Sequence, residues 1–169
     1  VMGGLNTEIN DATQDVLLET AYFNPQNIRA TSKKLGLHTD ASYRFERGAD
    51  VGCADWVSRR AAKLIVEVAG GELLAGVVDA FPKAPEAKEV TLRHARTDAL
   101  LGIRIEPAKA EEYLQGLELE LVSQDDASAT FGIPTWRVDL KREVDLMEEV
   151  CRVHGVDAIP ATPPRGCLG

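Results

Sequence analysis

The sequence predicts two small domains of α+β, or mixed α/β, architecture joined by a proline-containing linker. Short apolar runs typical of strands occur between segments with helical caps and helical periodicity. Between them, residues 81–88 (FPKAPEAK) combine two prolines with charges and alanines, which do not easily form a packed element. The 169 residues are enough for two small domains. We therefore expect domains at residues 1–85 and 86–163, followed by a tail at 164–169.

Bulk composition limits the classes of protein that this chain can represent. Its net charge of −8 argues against holding nucleic acid by bulk electrostatics, because phosphate binding needs clustered Lys and Arg. Cys53, Cys151 and Cys167 are odd in number and match neither a zinc spacing nor a disulfide framework, which predicts a reducing, cytoplasmic setting. No apolar run approaches the roughly 20 residues that span a bilayer. The opening at Val1, already inside patterned sequence, predicts a segment of a longer chain.

The first domain is predicted to contain strands at both ends and helices between them. Residues 16–23 (VLLETAYF) form an apolar and aromatic run typical of a strand. Asn24-Pro25 then resembles an N-cap with proline at the first helical position, and Gly36 is expected to end that helix after Leu35. Three further elements follow: a short helix from Thr39 to Arg47, an amphipathic helix from about Cys53 to Ala69, and a strand from Leu73 to Val78.

The second domain is predicted to combine a hairpin with two helices. A polar turn between two apolar runs indicates the hairpin, and Glu106-Pro107 indicates a helix start. The predicted elements are a strand from Val90 to His94, a helix opening at Pro107, a hairpin of residues 118–123 and 129–133, and a last helix from about Glu143 to Val153.

Four carboxylates near the last helix form the strongest chemical signal: Asp139, Asp145, Glu148 and Glu149. Helical residues three and four apart are neighbours, so Asp145 is expected to share an edge with the two glutamates. Crowded like charges need a positive partner, and a hard divalent cation such as magnesium accepts carboxylate oxygens. The alternative is a solvated acidic face that nearby basic residues neutralise without metal. Those residues are Arg137, Lys141 and Arg142.

Glu19 is a second candidate, because it lies in an apolar row with Leu17, Ala21 and Phe23 on the predicted strand. In a pocket, such a carboxylate can hydrogen-bond a ligand hydroxyl. Alternatively, it reaches solvent or pairs with Arg29 or Arg44. The polar run His38-Thr39-Asp40-Ala41-Ser42 is likewise open to two interpretations, as a pocket lining or as ordinary helix capping.

Three blocks of sequence resemble the beta subunit of bacterial phenylalanine–tRNA ligases, in order and spacing, over nearly the whole chain. The first comprises residues 1–4 (VMGG), 10–11 (ND), 13 and 16–19 (VLLE). The second comprises residues 35–42 (LGLHTDAS) and 44–48 (RFERG). The third comprises residues 134–137 (PTWR), Asp139, 145–146, 148–149 and 159–160.

The resemblance implies that residues 1–85 are the later half of an editing domain, which hydrolyses tyrosine wrongly attached to the phenylalanine tRNA. It implies an editing pocket lined by Gly3, Glu19, Thr39 and Ala41, and drawing also on residues before Val1. Phenylalanine lacks the hydroxyl of tyrosine and would leave the pocket's polar groups unpaired. Glu19 is the candidate for reading that hydroxyl, and hydrolysis would depend mainly on positioning the ester near a water.

For residues 86–163 the resemblance implies a winged-helix-like domain, the fold of many DNA-binding proteins. It implies magnesium held by Asp139, Asp145, Glu148 and Glu149 at the contact with the alpha subunit. The implied partners are that subunit, in an alpha2-beta2 tetramer, and the phenylalanine tRNA, with no membrane. The whole enzyme uses ATP, which this chain is not expected to bind. Two rivals are a freestanding winged-helix-like nucleic-acid-binding module and a self-contained hydrolase of mischarged tRNA.

Overall fold

The computed structural model describes residues 4–82 and 86–161. By their contacts the residues divide into two compact units, Val1–Pro85 and Glu86–Gly169, which we call unit 1 and unit 2. The division falls inside the stretch predicted as a linker. The tail predicted at residues 164–169 lies outside the described residues. No helix in the described ranges is long and apolar enough to cross a membrane.

The described part of unit 1 contains three α-helices. They are α1 (Pro25–Leu35), α2 (Asp40–Phe45) and α3 (Ala54–Ala69), with 3-10 turns at Leu5–Thr7 and Val51–Cys53. The Asn24 side chain accepts a hydrogen bond from the backbone N–H of Asn27 at 3.1 Å, and Gly36 ends α1 at φ 65°. The predicted start and end of α1 are confirmed. The prediction for α2 extended two residues too far.

The two strands predicted in unit 1, at residues 16–23 and 73–78, are wrong for this structure. Both segments lie outside helices and strands, the second has a bend at Ala75, and the described part of unit 1 contains no strand. A strand requires a neighbouring strand to accept and donate its backbone hydrogen bonds. Without one, Leu17 is 97% exposed and Val78 is fully exposed. The apolar composition of these segments is typical of strands, but the described residues of unit 1 provide no second strand with which either could pair.

Unit 2 is an α+β domain built on a three-stranded antiparallel sheet in the order β1-β3-β2. The elements are β1 (Lys88–Arg93), α4 (His94–Leu101), α5 (Pro107–Gly116), β2 (Glu120–Gln124), β3 (Ser128–Ile133) and α6 (Glu143–His154), followed by a 3-10 turn at Val156–Ala158. The hairpin, the first strand, α5 and α6 are confirmed, with bounds that differ from the predictions by a few residues.

The outer strand β2 carries a β-bulge at Val122. Leu121 lies opposite Phe131, but Ser123 lies opposite Thr130, so β2 contains one extra residue relative to β3. Because side chains alternate across a strand, the extra residue changes which side chains face the core. Val122, the residue at the bulge, is 48% exposed.

Helix α4 was not predicted, and its composition explains why. Its buried residues are His94 and Thr97, which are polar, rather than the apolar stripe that identifies a helix in a sequence. The buried hydroxyl of Thr97 donates a hydrogen bond to the carbonyl of Arg93, one turn earlier, at 3.0 Å. The N–H of Gly102 donates to the carbonyl of Asp98 and ends the helix at φ 72°.

The described hydrophobic core lies in unit 2, where one face of the sheet packs against α5 and α6. Val90 lies opposite Phe131, and Leu92 lies opposite Ala129, so the central strand contributes to the same face as β1. The completely buried apolar side chains come from both the sheet and the helices: Leu92, Leu114, Ala129, Phe131, Leu146 and Val150. This core fixes the position of α6 and therefore of its acidic residues.

Candidate functional site

The four predicted metal ligands occupy two elements of unit 2 and differ in exposure. Asp139 lies in the loop between β3 and α6, while Asp145, Glu148 and Glu149 lie on α6. Asp139 and Glu148 are exposed, Asp145 is half-buried, and Glu149 is buried at 9% exposure. We call these four residues the acidic set.

Arg137 joins two members of the acidic set. Its Nε and Nη2 donate to the two carboxylate oxygens of Asp139 at 3.0 and 2.6 Å. The same Nη2 donates to Oε1 of Glu149 at 2.9 Å, and Arg152 pairs with the other oxygen, Oε2. The Arg137 side chain is only 12% exposed, so this is a largely desolvated guanidinium between two carboxylates.

Asp145 has a different role, because it caps the start of α6. Its Oδ2 accepts hydrogen bonds from the backbone N–H groups of Lys141 and Arg142 at 2.9 and 2.8 Å. Its Oδ1 accepts from Nη2 of Arg142 at 3.2 Å. Both carboxylate oxygens therefore stabilise the helix start, where negative charge is favourable.

In this arrangement the acidic set does not fit a divalent cation. Within residues 4–82 and 86–161, no group of three or more His, Cys, Asp or Glu side chains is placed to hold a metal ion. The oxygens of Asp139, Asp145 and Glu149 are each in contact with the chain's own donors. A cation such as magnesium requires several oxygens at about 2.0–2.1 Å in octahedral geometry.

The hydrogen bonds around the acidic set favour its ionised form. Donation by the Arg137 side chain lowers the pKa of Asp139 below its usual range. Burial alone would raise the pKa of Asp145. Hydrogen bonds from Lys141 and Arg142 lower it by more, so the net shift of the pKa is downward. The pKa of Arg137 is raised, chiefly by its hydrogen bonds to Asp139. For Asp139 and Asp145, negative charge is thus balanced by the chain's own hydrogen-bond donors.

In unit 1, Thr39 and Ala41 lie together at the start of α2. Thr39 is the N-cap, and its Oγ1 accepts from the N–H of Ser42 at 3.1 Å. In return Ser42 Oγ accepts from the N–H of Thr39 at 2.9 Å, which completes a capping box. Of the two interpretations of this run, capping is observed for Thr39. In that bond the Thr39 oxygen is the acceptor, and the hydroxyl proton takes no part.

Replacing Thr39 by alanine is expected to loosen α2 by about 1 kcal/mol, the usual cost of losing a helix cap. Amide hydrogen exchange at Ser42 should then accelerate, while Thr39→Ser should leave it near the wild-type rate because serine caps equally well. Unchanged exchange in Thr39→Ala would mean that the hydroxyl does not hold the helix start.

A small cavity of about 50 Å³ lies between α1 and α2 next to Thr39. Its lining mixes apolar and hydroxyl side chains: Ile28, Leu35 and Leu37 with Thr31, Ser32, Thr39 and Ser42. A cavity of about 150 Å³ is needed to hold benzene, so this one does not accommodate a phenol ring. It does not by itself form the predicted editing pocket.

Glu19 is exposed and lies in the segment before α1, which has no regular secondary structure. Neighbours on both sides attach that segment to the helices: Thr20 Oγ1 donates to the carbonyl of Ala54 at 3.3 Å, and the ring of Phe23 packs edge-on against Phe45 at 5.1 Å. The segment is therefore held against α2 and α3 near Glu19. Gly3, the remaining predicted pocket residue, lies outside the described residues.

The sequence interpretation missed a polar pair between α1 and the loop that follows it. The buried hydroxyl of Ser32 donates to the carbonyl of Leu37 at 2.6 Å and contacts Nδ1 of His38 at 3.3 Å. Because the serine proton is committed to Leu37, Ser32 is a structural residue rather than an activated nucleophile. Its buried position between two helical turns is not signalled by the sequence.

Two family models match the chain, one to each unit. A B3/4 domain model matches residues 1–70, and a tRNA synthetase B5 domain model matches residues 90–156. The two matches are separated by the residues that contain the predicted linker. The domain content thus follows the same order as the two compact units.

Curated relatives match nearly the whole chain. The phenylalanine–tRNA ligase beta subunit of Geobacter sulfurreducens is 46% identical over 98% of this chain, and that of Rhodopirellula baltica is 46% identical over 97%. The beta subunit from Salinibacter ruber is 44% identical over 95%. The chain covers 21%, 24% and 19% of these relatives, so it spans about a fifth of their length.

Proposed function

Because the chain belongs to the family of phenylalanine–tRNA ligase beta subunits, we propose that it acts as a segment of an enzyme that attaches phenylalanine to its tRNA with ATP. The observation that supports this proposal most strongly is the 46% identity with the Geobacter sulfurreducens beta subunit over 98% of the chain. The matches to B3/4 and B5 domains support it as well. The cytoplasm is the corresponding compartment. An alpha subunit, in an alpha2-beta2 tetramer, and the phenylalanine tRNA are the partners in this proposal.

Unit 1 is assigned, in the same proposal, to the editing domain that removes tyrosine from mischarged tRNA. The exposed carboxylate of Glu19 supports this role, because an acceptor facing outward is available to a tyrosine hydroxyl. The exposed hydroxyl of Thr39 and the half-buried Ala41 at the start of α2 support it as well. The 50 Å³ cavity is too small for the substrate, so flanking parts of the longer subunit must complete the pocket.

Loss of Glu19 is expected to impair editing. In the whole subunit assembled with its alpha partner, Glu19→Ala should slow deacylation of tyrosyl-tRNA about 10- to 100-fold, as expected for one hydrogen bond to a charged group. Glu8→Ala, which removes another exposed carboxylate of unit 1, is the matched control. Deacylation at the wild-type rate in Glu19→Ala would remove the editing role from this residue.

Unit 2 is assigned to a winged-helix-like domain whose acidic set faces the alpha subunit. The three-stranded sheet with packed helices supports that fold. Magnesium at Asp139, Asp145, Glu148 and Glu149 belongs to the same proposal, and it requires these acids to leave their present ion pairs and hydrogen bonds. Calorimetric titration of the chain with magnesium tests this part.

A further inference from the structure

An exposed stack of a tyrosine and an arginine lies on and just after α2. The guanidinium carbon of Arg47 is 3.5 Å from the centre of the Tyr43 ring, which is a cation–π contact. Nη1 of Arg47 also donates to the carbonyl of Tyr43 at 2.8 Å and to Oε1 of Glu46 at 2.9 Å, and these bonds hold the guanidinium over the ring. Tyr43 is nevertheless 58% exposed and the Arg47 side chain 54% exposed, so the stack faces solvent.

The stack lies in a basic segment of an acidic chain. Residues 24–48 contain five Lys and Arg and only two Asp and Glu, a net charge of +3 in a chain whose total is −8. Besides Arg47, the basic residues are Arg29, Lys33, Lys34 and Arg44, and all four are exposed. The ion pairs among the described residues of unit 1 involve other cations, so these four have no ion-pair partner there. Because α1 packs against α2 and is only about 16 Å long, the charges lie within one to two Debye lengths of each other.

We propose that Tyr43 and Arg47 form a stacking platform for an unpaired RNA base, and that the four exposed cations bind the phosphates next to it. Proteins that bind single-stranded nucleic acid combine exposed aromatic rings and arginines, on which bases stack, with nearby positive charge that binds the backbone. Residues 24–48 supply both parts locally, although the whole chain is negative. An acidic protein partner would pair with the cations but would bring no planar group for the exposed ring.

The inference rests on the proposed function for the kind of RNA, since mischarged tRNA is the substrate assigned to unit 1. Thr39, Tyr43 and Arg47 are spaced four residues apart, so they follow one edge of α2 and its continuation. One helical turn advances about 5.4 Å, which places the stack beside the residue predicted to line the editing pocket. An RNA strand with its ester at Thr39 therefore passes the platform with a neighbouring nucleotide.

Fluorescence anisotropy of a short labelled oligo(A) RNA, titrated with the full chain, tests the platform. Tyr43→Ala should weaken binding about 5- to 100-fold, the range expected for loss of one stacked base. Tyr43→Phe keeps the ring and should bind like wild type. Tyr43→Leu keeps apolar bulk without a ring face and should bind as weakly as Tyr43→Ala. Tyr22→Ala, which removes another tyrosine of unit 1 that is 48% exposed, is the matched control and should bind like wild type.

The salt dependence of the same titration tests the phosphate contacts. Lys33→Gln should reduce the slope of log affinity against log salt by about 0.7, the value for one phosphate of a single strand. Lys63→Gln, which removes an exposed cation of α3 paired with Glu67, should leave the slope unchanged. If poly-glutamate displaces the oligo(A) as effectively as unlabelled oligo(A) does, recognition is by charge alone and the platform is overturned.

Oligo(A) binding and aminoacylation separate this inference from the proposed function. Equal affinity of Tyr43→Ala and wild type, or no binding by either at low salt, would overturn the platform even if the whole enzyme charges its tRNA. Failure of the whole wild-type enzyme to attach phenylalanine would instead overturn the proposed function, whatever the oligo(A) result. Because Tyr43 is exposed, its truncation should leave the fold intact, which circular dichroism checks. If Tyr43→Ala does not fold, Tyr43→Leu decides the same point.

Discussion

Truncating Phe131 to alanine is expected to bring unit 2 close to global unfolding. The ring is completely buried on the central strand, in the middle of the core. Removing a buried phenylalanine costs about 3–5 kcal/mol, and the total stability of a small domain is only about 5–15 kcal/mol. Because 1 kcal/mol shifts the midpoint of a domain this size by about 4–8 °C, the transition should fall by at least about 12 °C.

The chain offers both a probe and a matched control for this experiment. It has two tryptophans, Trp56 in unit 1 and Trp136 in unit 2, so a Trp56→Phe background leaves fluorescence from unit 2 alone. Phe81→Ala removes the same ring from a half-exposed site in unit 1 and should leave the Trp136 transition in place. A smaller shift for Phe131→Ala than for Phe81→Ala would contradict the assigned core.

Acidification is expected to destabilise unit 2. Hydrogen bonds lower the pKa of Asp125, through the N–H groups of Ala127 and Ser128, and that of Glu143, through the Arg93 side chain. The pKa values of Asp139 and Asp145 are lowered as well. A carboxyl with a lowered folded-state pKa contributes stability above its unfolded value, about 3.9 for Asp and 4.3 for Glu. That contribution is lost as the pH falls through the folded-state pKa.

Thermal midpoints followed by Trp136 fluorescence between about pH 7 and pH 2.5 test this expectation. The midpoint should be nearly constant near neutrality and should fall steeply below about pH 4. Glu143→Gln should be less stable than wild type at pH 7, because the carboxylate that accepts three hydrogen bonds from Arg93 loses its charge and one of its two acceptor oxygens, and the difference should shrink in acid. Glu112→Gln, which breaks an exposed pair with Lys109, should follow the wild-type curve. A wild-type midpoint independent of pH would contradict the role of these carboxylates.

Local chemistry made much of the helical structure predictable from sequence. The Asn24-Pro25 start and the Gly36 end of α1 depend on residues within the helix ends themselves, so no distant contact was needed to infer them. The β2–β3 hairpin was predictable for the same reason, since Asp125 binds the backbone N–H groups of its own turn. Helix α4 was not predictable by periodicity, because its buried residues are polar.

Features that depend on distant partners could not be predicted. Residues 16–23 have the composition of a strand, but composition does not supply the second strand that must pair with it. Similarly, the apolar periodicity of α3 predicts the helix correctly, yet Leu64 and Val68 on its apolar face are 41% and 87% exposed. A sequence pattern identifies an apolar face without identifying what covers it.

The candidate site was predictable as a set of residue types but not as an arrangement. Spacing on α6 indicated clustered carboxylates, and Arg137 was one of the neutralising residues considered. The sequence could not show that Arg137 spans from the Asp139 loop to the buried Glu149, because that geometry depends on how the core orients α6. Nor could it distinguish Asp145, which caps the helix, from the other acids.

The extra residue at Val122 has a consequence for how unit 2 behaves at high concentration. An outer strand with an uninterrupted row of amides and carbonyls can recruit a strand from another molecule and extend the sheet. The bulge breaks that row on β2 and twists it locally, so an incoming strand finds no long matching ladder. The bulge thereby disfavours aggregation of unit 2 by strand addition along this edge.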